Sequence, residues 1–106
     1  MNILHIFGGG PLVGFAIRKA KEIGCRAVVR TGPRFEASID SPDCDFDLHV
    51  GETMGEVMGL GPLPSSGDVG LSLSAPWIIP QDVIDLFSGN LFNLHAQPLP
   101  KFRGAG

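Results

Sequence analysis

The chain has 106 residues, enough for one domain with a single modest core and too few for two. Hydrophobic residues make up 43% of it and charged residues 18%, a balance typical of compact globular chains and not of disordered ones. The formal net charge of -3 and the scatter of the 8 basic residues along the chain disfavour a nucleic-acid backbone as the main partner.

The first three predicted elements are a strand, a helix and a second strand. Residues 2–7 form an apolar run that stops at three glycines, which is typical of a buried strand entering a tight turn. Residues 12–23 carry apolar side chains at intervals of three and four, and Gly24 is suited to end such a helix. Residues 25–30 follow as a strand, so the opening indicates a parallel strand-helix-strand unit.

The middle of the chain is the least regular part, and residues 31–67 are predicted to be mostly loops. Within it we expect one short strand over 46–50 and one helical turn over 54–58. Regular patterns return with a strand over 68–74, a helix over 80–87 and a strand over 91–95. The order predicts one α/β domain over residues 1–106, a Rossmann-like three-layer unit with a mostly parallel sheet.

Asn93 and His95 are the residues best placed for chemistry. They lie two apart on the last predicted strand, so both side chains leave the same face, at the carboxyl end where parallel sheets hold their sites. An amide and an imidazole can both donate hydrogen bonds to a developing oxyanion, and the imidazole can also move a proton. The pair therefore favours a reaction in which a carbonyl becomes tetrahedral.

The stretch DVGLSLSAPWIIPQDVIDLFSGNLFNLHAQPLPKFRGAG, residues 68–106, resembles the core of the folate-dependent formyltransferases. These act on methionyl-tRNA, glycinamide ribonucleotide or amino sugars, and their pattern is a strand, a short apolar segment, a helix, and then Asn-x-His before Leu-Pro and a basic-Gly pair. Asn93 and His95 match the catalytic positions of that pattern. The residues after them that match are Leu99, Pro100, Arg103 and Gly104.

The resemblance implies that a substrate amine attacks the formyl carbon of 10-formyltetrahydrofolate, the co-substrate, and that no metal takes part. Asn93 and His95 would stabilise the oxyanion, and His95 would handle the proton. Two segments would contact the folate, namely Pro76, Trp77, Ile78 and Ile79, and Gln97, Pro98, Leu99 and Pro100. The acceptor stays open among an amino-sugar nucleotide, methionyl-tRNA and glycinamide ribonucleotide, although Pro98-Leu99-Pro100 resembles the variant of the amino-sugar members.

Gly8, Gly9 and Gly10 match the position where some members hold the phosphate of the acceptor, which the free N–H groups at a helix start would bind. The run can equally serve only to turn the chain tightly. A Rossmann-like NAD-binding domain is a further alternative, but Val13 occupies the third glycine position of the dinucleotide fingerprint. An acidic residue is also missing at the end of the second strand, where Arg30 stands.

The catalytic aspartate of the family has no counterpart up to Gly106. Asp68 opens a strand whose far end faces the site, about 20 Å away at roughly 3.3 Å per residue, and cannot replace it. We therefore expect the N-terminal part of a longer catalytic domain, which alone could be an inactive folate- or phosphate-binding fragment.

The remaining expectations concern the histidines, the tryptophan and the surroundings of the chain. His5 and His49 are interpreted as structural, and Trp77 either walls a folate pocket or caps the core. The absence of metal-ligand cysteine spacing, of a leader and of a long apolar run favours a soluble cytoplasmic protein. An uncovered sheet edge and face would favour self-association.

Overall fold

The computed structural model describes residues 2–36, 38–39 and 45–94. Strands and helices alternate along the chain. They are β1 (Ile3–Gly8), α1 (Pro11–Glu22), β2 (Arg26–Thr31), α2 (Pro33–Glu36), β3 (Asp47–Val50), α3 (Met54–Met58), β4 (Val69–Leu73), α4 (Gln81–Asp85) and β5 (Leu91–Leu94).

The strands form one five-stranded sheet in the order β3-β2-β1-β4-β5, and every neighbouring pair is parallel. The chain builds outward from β1 to β3 and then crosses to β4 on the other side of β1. The strand order therefore reverses between β1 and β4, and open α/β sheets bind ligands at the carboxyl ends of their strands at such a point. The α/β class is confirmed, and the arrangement is compatible with a Rossmann-like unit.

Helices cover both faces of the sheet. Ile6 of β1 lies beside Val29 and Leu71 and packs with Val13 and Ile17 of α1 on one face. The other face carries α3 and α4, and its core consists of Phe7, Met54, Val57, Val83 and Phe87. Because β1 and β2 are covered on both sides, they are apolar over most of their length, as central parallel strands are.

Local sequence accounts for the bounds of α1. Pro11 occupies the start of the helix, where its missing N–H costs nothing. At the other end Gly24 adopts a φ of 79°, and the Cys25 amide donates to the Ala20 carbonyl at 2.8 Å. That bond closes the last turn, and the left-handed residue that it requires is best supplied by glycine.

Two glycines allow β4 to lie close to its neighbours. A Cβ on Gly8, whose φ is 140°, would stand 1.8 Å from the Leu73 carbonyl oxygen. A Cβ on Gly70 would stand 2.8 Å from the Phe87 ring. The close pairing of β1 with β4 therefore requires glycine at position 8, and the packing of the segment after α4 against β4 requires glycine at position 70.

The observed elements agree with the predicted ones, with shorter ends. The helix predicted over 80–87 is regular only over Gln81–Asp85, and α2 was not predicted. The strand predicted over 91–95 is observed as Leu91–Leu94, and His95 lies outside the described residues. Within the described part of the chain, no helix has the length and apolar character needed to span a bilayer.

Candidate functional site

Asn93 lies near the carboxyl end of β5, where its Cα is paired with that of Ser72 on β4. Leu91 of the same strand packs against the core beneath α4, so alternation puts Asn93 on the α4 face as well. Its side chain is exposed. The amide is therefore free to meet a ligand at the edge of the sheet. His95, predicted to act with it, lies outside the described residues.

The loop between β4 and α4 adjoins this edge and contains four of the predicted folate-contacting residues. Trp77 is half-buried against the core of the α4 face, and its Nε1 donates to the Glu52 carbonyl at 3.1 Å. Ile78 is 92% exposed. Pro76 reaches the end of β2, since a Cβ on Gly32 would stand 3.3 Å from its Cγ.

The same loop therefore extends from β4 over the ends of β2 and β3. Pro76, Trp77 and Ile79 are all half-buried, so Ile78 is the one of the four whose side chain is free in the described part of the chain. Trp77 caps the core and borders the carboxyl edge at once. The remaining predicted folate contacts, Gln97, Pro98, Leu99 and Pro100, lie outside the described residues.

The glycine turn between β1 and α1 uses much of its hydrogen-bonding capacity internally. The Gly9 amide donates to the Leu73 carbonyl at 3.1 Å, and the Gly10 amide donates to Ser38 Oγ at 2.9 Å. The Val13 amide turns back to the Gly10 carbonyl at 3.2 Å. A phosphate at this helix start would have to compete with Ser38 for the Gly10 N–H.

The three glycines differ in the space around them. A Cβ on Gly8 or Gly9 would collide with the Leu73 carbonyl or, at 2.7 Å, with the Phe35 Cβ, whereas a Cβ on Gly10 would meet no atom of the described residues within 4 Å. Gly8 and Gly9 are therefore required by packing. Gly10 is the position at which a ligand can approach the turn.

Sequence reasoning missed a buried network of charged side chains on the α4 face. His5 of β1 and Arg30 of β2 are each 0% exposed, and Asp68, just before β4, is 3% exposed. His5 Nε2 lies 2.9 Å from Asp68 Oδ2, and His5 Nδ1 lies 3.0 Å from Arg30 Nη1. A guanidinium can only donate, so Nδ1 accepts and Nε2–H donates to the carboxylate.

This tautomer makes His5 a neutral bridge between a carboxylate and a guanidinium. Burial lowers the pKa of His5, because it disfavours the charged form more than the hydrogen bond to Asp68 favours it. Burial raises the pKa of Asp68, but hydrogen bonds from His5 and from the amides of Ile3 and Ser65 outweigh burial and bring the pKa below its usual value.

Asp68 belongs to the amino end of the sheet. Its Oδ1 accepts from the Ile3 amide at the start of β1, at 2.9 Å, whereas Asn93 lies near the end of β5. This position agrees with the expectation that Asp68 takes no part in a reaction at the carboxyl edge. The signal in the sequence was the pair of polar residues, His5 and Arg30, inside otherwise apolar central strands.

Two further features bear on what the molecule can bind. Among the described residues, no cluster of three or more His, Cys, Asp or Glu side chains could hold a metal ion. An apolar cavity of about 260 Å³ lies between α1 and the β4–β5 pair, bordered by Phe15, Leu71 and Leu94 among others. It is on the face opposite Asn93 and is separate from the carboxyl-edge site.

No protein-family model, curated protein or solved structure matches the chain.

Proposed function

We propose that the chain is the N-terminal part of a formyltransferase catalytic domain, which transfers a formyl group from 10-formyltetrahydrofolate to a substrate amine. The observation that carries the proposal is the exposed Asn93 at the carboxyl end of β5, next to β4 and its loop. That is the position which the Asn-x-His pattern requires. The all-parallel sheet and the reversal of strand order between β1 and β4 support the same proposal.

The chemistry requires a hydrogen-bond donor aimed at an oxygen that becomes negative. As the amine attacks the formyl carbon, the Asn93 amide donates to the developing oxyanion and His95 donates a second bond. When the tetrahedral intermediate collapses, the bond between the formyl carbon and N10 of the folate breaks, and His95 transfers the proton lost by the amine to N10, so that tetrahydrofolate leaves. Loss of one such donor costs about 10²- to 10³-fold in rate. The folate itself lies against the loop from Pro76 to Ile79, where Ile78 offers an exposed apolar side chain.

The acceptor is an amine on a phosphorylated molecule, an amino-sugar nucleotide or methionyl-tRNA. The open space at Gly10 supports a phosphate at the start of α1, provided that the phosphate displaces Ser38 from the Gly10 amide. The catalytic aspartate of the family has no counterpart among the 106 residues. Without it, these residues alone are a folate- or phosphate-binding unit with little activity.

The structure of β2 argues against an NAD-binding domain. Such domains hold the ribose through an acidic residue at the end of the second strand. Here Arg30 and Thr31 occupy that end, both are 0% exposed, and Arg30 donates to backbone carbonyls of the neighbouring connection. No acidic group is therefore available at the end of β2.

Isothermal titration of the chain with 5-formyltetrahydrofolate, a stable folate, and with NAD tests the proposal. Saturable folate binding without NAD binding is expected. The Asn93→Ala variant in the protein that carries the complete domain should keep folate affinity within about threefold and lose formyl transfer about 10²- to 10³-fold.

Asn90→Ala is the matched control, because Asn90 is also exposed and lies just before β5. It should keep both binding and transfer. Saturable NAD binding with no response to folate would reverse the proposal, and folate binding with no transfer by the complete domain would favour a binding role instead.

A further inference from the structure

Arg30 fastens the connection between α3 and β4 to the centre of the sheet. Its guanidinium donates to the carbonyls of Val57, at 2.9 Å, and of Leu60, at 2.9 Å, and also to that of Pro62. These three carbonyls belong to one stretch of chain that has no strand partner. The Asp68 carboxylate holds the other end of this stretch, since it accepts from the amides of Ser65 and Ile3. Arg30 itself is positioned by its fourth partner, His5.

His5 accepts from Arg30 only while it is neutral. Its Nδ1 lies 3.0 Å from Arg30 Nη1, and a second ring proton would put two donors and two positive charges against each other there. The other ring nitrogen already has a partner, because Nε2–H donates to Asp68. A protonated ring cannot turn to relieve the conflict without giving up Asp68.

In the described part of the chain, the one carboxylate that acts on His5 is Asp68, which faces it from the α3–β4 connection. Arg30 and Arg26 act on it from β2, and Phe87, two residues after α4, contributes an uncharged ring at 5.5 Å. On β3, His49 is paired with Arg30, and its Nε2 is buried with no hydrogen-bond partner in the part of the chain that the structure describes.

The connection is linked to the candidate site through α3. Met54 and Val57 of this helix belong to the core cluster against which Trp77 packs. The carbonyl of Glu52, two residues before α3, accepts the indole N–H of Trp77 at 3.1 Å. Movement of α3 would therefore be transmitted to the loop that borders the carboxyl edge.

We propose that the Asp68–His5–Arg30 relay is an acid-sensitive latch, which holds residues 57–68 closed while His5 is neutral and releases them, together with the support of Trp77, when His5 takes up a proton. The proposal does not depend on formyl transfer. Because burial keeps the pKa of His5 below its ordinary value of 6.5 in the closed form, protons bind preferentially to the open form. The opening equilibrium constant then rises as the pH falls, and one proton with an ordinary pKa in the open form sets an upper limit of about tenfold between pH 7.5 and pH 5.5.

Amide hydrogen exchange of the whole chain, corrected for the intrinsic exchange rate at each pH, tests this. The Leu60 and Asp68 amides, which donate to the carbonyls of Val57 and Ser65, report the opening constant of residues 57–68. That constant should rise between pH 7.5 and pH 5.5, by up to about tenfold, and exceed that of the α1 amides at both values. The single tryptophan, Trp77, should shift its emission over the same range.

His5→Gln should abolish the pH dependence of the opening constant, and the matched control His49→Gln should retain it. A constant that does not change with pH, an effect removed by His49→Gln, or equal opening of residues 57–68 and α1 would each overturn the latch. If His5→Gln does not fold, the imidazole ¹⁵N chemical shifts of the unmodified protein test the proposal instead. At pH 7.5 His5 should be neutral with its proton on Nε2. Any other form would overturn the proposal.

Discussion

The glycine turn between β1 and α1 has a packing role at Gly8 and a proposed binding role at Gly10. Comparing the Gly8→Ala variant with the Gly10→Ala variant should separate the two roles. Both positions have a positive φ, 140° and 94°, and a Cβ in such a region costs about 1–3 kcal/mol. Gly10 has open space around it, so that cost is the whole of the expected loss. At Gly8 the new Cβ would also stand 1.8 Å from the Leu73 carbonyl oxygen, which is fixed by its place in β4.

The carbonyl of Leu73 cannot turn away, because it already accepts the Gly9 amide. Relief therefore requires β1 and β4 to separate, and overpacking of this kind adds about 1–3 kcal/mol. We expect Gly8→Ala to lower the free energy of unfolding by about 2–6 kcal/mol, against about 1–3 kcal/mol for Gly10→Ala. Domains of this size have about 5–15 kcal/mol in total, so Gly8→Ala approaches the limit of folding.

Urea denaturation followed by far-ultraviolet circular dichroism measures both variants, and equal m-values would show that the compared states are the same. If the Gly8→Ala and Gly10→Ala variants are equally stable, the close contact between β1 and β4 at Gly8 is contradicted. Binding of inorganic phosphate should respond in the opposite order, with Gly10→Ala weakening it more than its small loss of stability explains. Phosphate binding unchanged by Gly10→Ala would remove the support for an acceptor phosphate at this turn.

Three further substitutions test the core and the connections. Arg30→Met should lower the free energy of unfolding, measured by urea denaturation, by about 3–5 kcal/mol, because it leaves buried carbonyls without a donor. A loss under about 1 kcal/mol would mean that water replaces the guanidinium. Thr53→Ala removes the side-chain acceptor of the Glu56 amide and should cost about 1 kcal/mol, seen as faster amide exchange in α3 and unchanged exchange in α1. Phe87 is 2% exposed and Ile78 is 92% exposed. In thermal unfolding, Phe87→Ala should therefore lower the free energy of unfolding by about 3–5 kcal/mol and Ile78→Ala by less than about 0.5 kcal/mol. Similar losses for the two variants would contradict the described core.

Much of the sheet could be predicted because its central strands carry a strong signal. Residues 2–7 and 25–30 are short apolar runs bounded by glycine or by a charged helix end, and they became β1 and β2. The strand and helical turn expected at 46–50 and 54–58 also exist, as β3 and α3. The four-residue α2 was missed because one turn of helix carries no apolar periodicity that could be recognised.

The buried network could not be predicted from the sequence because it depends on three-dimensional register. His5 and Arg30 are 25 residues apart and Asp68 is 63 residues from His5, and no local pattern relates them. The parallel pairing of β1 with β2, with His5 opposite Val28, brings His5 and Arg30 to the same face within reach of each other. The polar residues in apolar strands indicated only that partners must exist, not which residues they were.

The two alternatives that the sequence left open for Trp77 are not exclusive. Its ring packs on the core of the α4 face while its N–H holds the Glu52 carbonyl, so the side chain is fixed before any ligand arrives. A pocket wall that is already ordered loses little conformational entropy on binding, which favours affinity. The same attachment makes the wall dependent on α3, and α3 is held at its far end by Arg30. The support of one side of the candidate site therefore depends on Arg30, near the carboxyl end of β2, and through it on His5 and Asp68, none of which is a proposed catalytic residue.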